Sequence, residues 1–323
     1  MSVYLPTGPA VVALGAAWLA ATLALGFAVS RIRRLGAARA AAWGLALAAA
    51  AAAERLTADQ PAGFRMLAIM GALLYGLKAV VAVESRAAGG ARLGPAAWLG
   101  FAALWPGMRP DLFARRRPEP LRGAGALFGR GLAALAAGGV LVAAARAVTA
   151  AGGPLLLATV LVLPGLSLIL HFGLFHLAAG AWRIAGVDAR PLFRAPLRAT
   201  SLTEFWGRRW NLAFSEMTAL GVYRPLRSRW GTAPALTAAF LVSGLLHEAA
   251  ISVPVGAGYG LPLAYFAVHA ALMNLERRRQ RSGRPLSTPA WRGRLWTLFW
   301  LALPLPLLFH RPFLAGVVWP LLR

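Results

Sequence analysis

Pro9 to Ser30 is an apolar run without a single charge, closed directly by Arg31, Arg33 and Arg34. The alternation of long apolar block and short Arg cluster returns along the rest of the chain and constrains the fold more than any other feature. About twenty apolar residues is the length a helix needs to cross a hydrocarbon core. The chain therefore reads as all-α, a polytopic transmembrane helical bundle of about eight spans with re-entrant or interfacial helices. It is expected to form a single integral-membrane domain over residues 1–323.

Composition agrees where it bears on this point. The chain is 59% hydrophobic and only 14% charged, against roughly 25% charged in soluble proteins. A net charge of +24 would suggest nucleic acid in a soluble domain. Here the cations are arginines in short loops between apolar blocks, which points to cytoplasmic loops and anionic lipid rather than nucleic acid. The expected partner is thus the lipid bilayer. There is no cysteine, which excludes disulfides and thiolate chemistry.

The first run has its charge behind it, so it reads as a span with an outer N-terminus, not a cleavable leader. Ala40 to Ala53 is almost pure alanine and reads as a weak span or a buried helix, its low complexity taken as compositional bias. Met66 to Val83 is a span despite Lys78, the only lysine in the chain; its stem is expected to snorkel toward the helix end. Pro95 to Met108 is apolar but too short to cross, so it is expected to be re-entrant or interfacial. Ala124–Ala150, Gly153–Trp182, Ala233–Val253 and Leu261–Leu275 are further spans, with Glu276–Arg284 a cytoplasmic loop. Leu295 to Leu322 is one broken span or two half-helices, interrupted by Pro304, Pro306 and His310-Arg311-Pro312.

The most informative stretch runs from Ser201 to Glu248. Ser201 and Glu204 have capping-box spacing. Trp206, Trp210 and Phe214 recur at i,i+4 and would share one face, with Arg208 and Asn211 opposite, as in a helix lying at the bilayer interface. Two readings stand: a mechanical anchor, or an anion cradle, since guanidinium pairs with phosphate in bidentate fashion. His247 falls roughly 20 Å along the next helix at ~1.5 Å per residue, within the hydrocarbon. Ser243 shares its face at i,i+4, whereas Glu248 is rotated about 100° away. A core histidine bonded between helices and a neutral general base both fit. Glu248 in a span calls for a polar or Arg partner.

Taken together, TSLTEFWGRRWN and the following LVSGLLHE resemble the wax synthase branch of the membrane-bound O-acyltransferase superfamily. The likeness covers Phe193–Glu248, including Tyr223-Arg224-Pro225, with weaker echoes in WPGMRP (Trp105–Pro110) and FHRPF (Phe309–Phe313). It implies a wax-synthase-like core over 190–275 in which Asn211 and His247 are the catalytic pair. It further implies transfer of a fatty acyl group from acyl-CoA, as co-substrate, to a lipophilic alcohol, with no other cofactor and no metal. Arg208, Arg209, Trp206, Trp210, Ser243 and Glu248 are the expected substrate-binding residues, the two arginines on the CoA phosphates. A transporter with His247 and Glu248 on a proton path is the alternative of different class. Against it stands the lack of an internal repeat. A non-catalytic scaffold is a third reading, disfavoured because both Asn211 and His247 are present.

Overall fold

The computed structural model describes residues 2–323, and among them helix is the only regular structure. The first three helices are α1 (Pro9–Arg31), α2 (Leu35–Leu56) and α3 (Ala62–Ala87). A short α4 (Pro95–Ala102) precedes α5 (Ala124–Ala150) and α6 (Leu155–Ile184). After an irregular stretch come α7 (Leu212–Thr218), α8 (Thr232–Val255) and α9 (Leu261–Arg281), then α10 (Ala290–Leu308) and α11 (Arg311–Leu322). Six of these, α1, α2, α3, α5, α6 and α8, are long and apolar enough to cross a membrane. The α10–α11 pair, bent by 68°, is a seventh if it counts as one span. Its bend falls at the expected His310 interruption.

The eighth expected span is the first part of α9. That helix runs on through Glu276 to Arg281, so the supposed loop from Glu276 is in fact helical. Glu, Arg and Gln are all good helix formers, and the helix ends only at Ser282 and Gly283, the latter with φ +71°. The resulting charge at its C-terminal end denies α9 a full apolar span.

The alanine run of α2 has a packing role that compositional bias does not describe. Ala38, Ala42, Ala46, Ala49 and Ala53 form one buried stripe. A Cβ on Gly76 of α3 would stand 2.5 Å from Ala46 Cα. Small residues on both sides let the two backbones approach, the usual device for helix pairs in lipid.

Lys78 does not snorkel. It is completely buried, and its amine donates to the carbonyls of Phe101 (2.8 Å), Trp105 (2.6 Å) and Gly107 (2.6 Å). The Nζ also lies 4.1 Å from the centroid of the Phe101 ring. The Pro95–Met108 segment is thereby tucked into the protein, with Trp98, Phe101, Trp105 and Met108 all buried. Irregular backbone in an apolar setting needs internal partners, and Lys78 supplies three at once.

Two larger apolar cores and two smaller ones result, and the larger pair frames the site. One gathers α1 to α4 with Phe193, Ala213 and Met217; the other gathers α5, α6, α8, α9 and α11, with Trp206 packed against it. The stretch 202–218 crosses the seam between them.

Candidate active site

The stretch entering the site is held at its start by two carboxylates. Ser201 Oγ accepts from the Glu204 N–H at 3.0 Å, as capping-box spacing predicts. Glu204 reaches back to the Thr200 N–H at 2.8 Å, one residue earlier than that motif requires. Glu276, reaching over from α9, accepts from the backbone N–H groups of Leu202 (2.7 Å) and Thr203 (2.9 Å), the Thr203 hydroxyl (2.8 Å) and the Trp296 indole (3.0 Å). A buried carboxylate at a helix start answers both the open N–H groups and the positive end of the dipole. Glu276→Ala is expected to lower the melting temperature and loosen 202–209, read as faster amide exchange there. Glu276→Gln, which keeps one acceptor oxygen, is expected to recover part of the loss.

The single amphipathic helix expected over 202–214 is not formed. A short α-helical turn widens into a π-helical turn at Phe205–Arg209, Trp210 is extended, and Asn211 takes a left-handed conformation with φ +43°. Only then does α7 begin. The interruption undoes the shared face of Trp206, Trp210 and Phe214. Trp206 turns into the second core against Phe240, Tyr265, Phe266 and His269. Trp210 instead packs edge-on to Phe193 at 4.9 Å between centroids and lies 5.6 Å from His171. Neither indole is placed as an interfacial anchor. The break is pinned by backbone bonds on both sides, Arg194 N–H to Arg209 O at 2.7 Å and Leu212 N–H to Leu192 O at 2.9 Å.

Asn211 is suited to this corner because asparagine tolerates the left-handed region better than most residues. Its Oδ1 accepts from the Phe214 N–H at 3.3 Å and caps α7. The cap fixes which way the amide faces, since the N–H of Phe214 needs an oxygen. The Nδ2 group is left with two hydrogens to give.

His247 ends the α-helical part of α8, immediately before a π-helical turn over Glu248–Ser252. Such turns are frequent at functional sites. Its Nδ1 lies 2.7 Å from the Ser243 carbonyl. A carbonyl only accepts, so Nδ1 carries the hydrogen and, in the neutral ring, Nε2 presents a lone pair. The ring lies 5.3 Å from Phe214 and 4.4 Å from Phe266, centroid to centroid. Phe214 thus joins the pair: its backbone is capped by Asn211 and its ring rests on His247.

The other expected site residues divide sharply. The Ser243 hydroxyl donates to Ala239 O at 2.9 Å, so it is the Ser243 carbonyl that orients His247. Glu248 Oε1 accepts from the Leu263 N–H at 3.0 Å and caps the start of α9. This is the polar partner its place in a span called for, and it is a backbone group, not an arginine. Arg209 is committed to Glu204, at 2.6 Å, and to the carbonyls of Arg194 and Ala195. Burial alone would raise the Glu204 carboxyl, but the Thr200 and Arg209 bonds outweigh it and hold the group below its usual range. Arg208, by contrast, is exposed and makes no ion pair among the described residues.

Residues that the sequence did not assign to the site also pack around it. Glu216 on α7 has Arg109, Arg194 and the Met108 backbone as neighbours, and burial pushes its carboxyl up to about 7 against the pull of both arginines. His171 stacks on Phe193 at 4.4 Å between centroids, with its Nδ1 3.0 Å from the Ser167 hydroxyl. His310 of the FHRPF echo caps α11, accepting from the Phe313 N–H, while its Nε2 lies 3.3 Å from Ser252 Oγ. It ties the α10–α11 bend to the turn that follows His247. Among the described residues no group of three His, Asp or Glu side chains is arranged to hold a metal ion.

Residues 189–267 match the model of the membrane bound O-acyl transferase family. A long-chain-alcohol O-fatty-acyltransferase of Simmondsia chinensis is 48% identical over 71 residues, 20% of this chain and 20% of that protein. A probable long-chain-alcohol O-fatty-acyltransferase 6 of Arabidopsis thaliana is 48% identical over 69 residues, again 20% of each chain. An acyl-CoA–sterol O-acyltransferase 1 of Arabidopsis thaliana is 36% identical over 78 residues, 22% of this chain and 23% of that protein. The matched stretch thus spans about a fifth of the length of these relatives. The resemblance read from FWGRRWN and SGLLHE is borne out over this core.

Proposed function

We propose that the protein is a membrane-embedded O-acyltransferase that moves a fatty acyl group from acyl-CoA to the hydroxyl of a lipophilic alcohol. The observation that carries the reading is the 2.7 Å approach of His247 Nδ1 to the Ser243 carbonyl, which assigns the hydrogen to Nδ1 and leaves Nε2 to act as general base. Nε2 takes the hydroxyl proton as the alcohol oxygen attacks the thioester carbonyl. Asn211 donates from Nδ2 to the oxyanion that develops, an interaction worth most where charge appears in the transition state. Collapse of the tetrahedral intermediate forms the ester and expels the CoA thiolate, which recovers its proton from the imidazolium. No metal or further cofactor enters this balance.

The Arg-rich loops lie on the cytoplasmic side in this reading, where acyl-CoA arrives. Arg208 is the free guanidinium for its phosphates, whereas Arg209 holds the fold. Arg208→Ala is therefore expected to raise KM for palmitoyl-CoA about tenfold, a loss in the range of one charge-assisted contact, with kcat and KM for the alcohol little changed. Arg209→Ala is expected to lower the melting temperature instead. A change confined to alcohol preference in the Arg208 variant would remove the phosphate role.

The decisive assay offers labelled palmitoyl-CoA to the purified protein in detergent, with fatty alcohols, sterols and diacylglycerol in parallel. Ester with any of them supports the reaction class and names the acceptor. Absence of both ester and free CoA across the panel overturns it. Because no gradient exists in detergent, turnover there also separates this reading from a proton-coupled transporter.

A further inference from the structure

Two buried polar atoms among the aromatic rings of the second core have no hydrogen-bond partner: Trp206 Nε1 and His269 Nε2. Their rings stand 5.4 Å apart between centroids at 83°, and they do not hydrogen-bond to each other. His269 is completely buried, and its Nδ1 lies 2.9 Å from the Tyr265 carbonyl. That carbonyl can only accept, so in the neutral ring Nε2 is an acceptor, while the indole Nε1 can only donate. Leaving both empty would cost the desolvation of each.

We propose that Trp206 and His269 form a binding site for the hydroxyl of the acceptor alcohol, which takes the indole hydrogen on its oxygen and gives its own to His269. This inference rests on the acyltransfer reading. A hydroxyl oxygen is the small group that both accepts and donates, which excludes carboxylate, thioester and metal. Water has the same two abilities, but a buried water is normally held by about three partners, and the unpartnered atoms of these two rings are two. An alcohol carries one hydrogen fewer, and its alkyl chain has the rings of Phe240, Tyr265 and Phe266 to lie against. Phe266 packs near both this pair and the candidate base: its centroid is 5.7 Å from Trp206 and 4.4 Å from His247. The hydroxyl is captured at Trp206 and His269 and passes the edge of Phe266 to reach His247 Nε2.

The test uses the full chain in detergent and compares binding of tritiated hexadecanol with that of tritiated hexadecane, for wild type, Trp206→Phe and His269→Phe. The expected result is a preference for the alcohol in wild type that falls about tenfold in either variant, the order of one lost hydrogen bond, while alkane binding is unchanged. In turnover the same variants raise KM for hexadecanol and leave KM for palmitoyl-CoA alone. If both variants keep the alcohol preference but melt at lower temperature, the oxygen held there is ordered water, and the proposal fails. If they keep the preference and melt like wild type, the site is dry, and it fails equally. Should His269→Phe not fold, Trp206→Phe decides alone, because it removes one N–H within the same aromatic wall. Wild type that binds hexadecanol through Trp206 yet makes no ester would overturn the acyltransfer reading and leave this site standing.

Discussion

Replacing His247 by alanine is expected to abolish ester formation, with a fall of about a thousandfold or more, within the range that general-base catalysis supplies. Expression and melting temperature should stay near wild type. The imidazole hydrogen-bonds to a carbonyl of its own helix, and alanine is a strong helix former beside Phe214 and Phe266. Unchanged turnover in a folded His247→Ala protein removes the catalytic assignment. Asn211 needs a different substitution, because alanine would strain its left-handed backbone and remove the α7 cap together. Asn211→Gly keeps the conformation at no steric cost, and glycine is a tolerable N-cap. It therefore isolates the amide. A strong loss of kcat without a matching loss of stability is the result that identifies Nδ2 as the oxyanion donor.

How much of this could be read beforehand differs between the two halves of the pair. The i,i+4 relation of Ser243 and His247 is a property of any helix, so their common face was legible. That the carbonyl, and not the hydroxyl, holds the ring was not, because a serine in a helix readily bonds its own i−4 carbonyl, as Ser243 does to Ala239. Over 202–214 the helical period misleads. Trp206, Trp210 and Phe214 look like one stripe, yet the π-helical turn and the left-handed Asn211 send Trp206 into one core and Trp210 toward the other. Gly207 and Asn211 were the visible warnings, as residues that interrupt helices readily. Glu276 was hidden by its neighbours: within ERRRQR it resembles loop charge, and only the fold of α9 against 202–209 reveals its bonds.

Lys78 is the case where a plausible sequence reading fails most fully, and its replacement should carry the largest structural effect. Lys78→Met retains the length and volume of the stem while removing the amine. The carbonyls of Phe101, Trp105 and Gly107 then face a thioether that donates nothing. Each buried acceptor left without a partner costs about 1–3 kcal/mol, so three together approach the ~5–15 kcal/mol by which ordinary domains are stable at all. The expected outcome is poor recovery of monodisperse protein and, in what survives, loss of amide-exchange protection over 99–108. Snorkelling predicts the opposite, since a lysine at the helix end would be replaced at little cost; wild-type melting of Lys78→Met would restore that reading. The effect should also reach the site. The segment that Lys78 holds carries Met108 and Arg109, both neighbours of Glu216 on α7, the helix that begins at the Asn211 cap and presents Phe214 to His247. Surviving Lys78→Met protein should therefore lose activity beyond its loss of folded fraction, a result that a purely local packing defect at α3 and α4 would not produce.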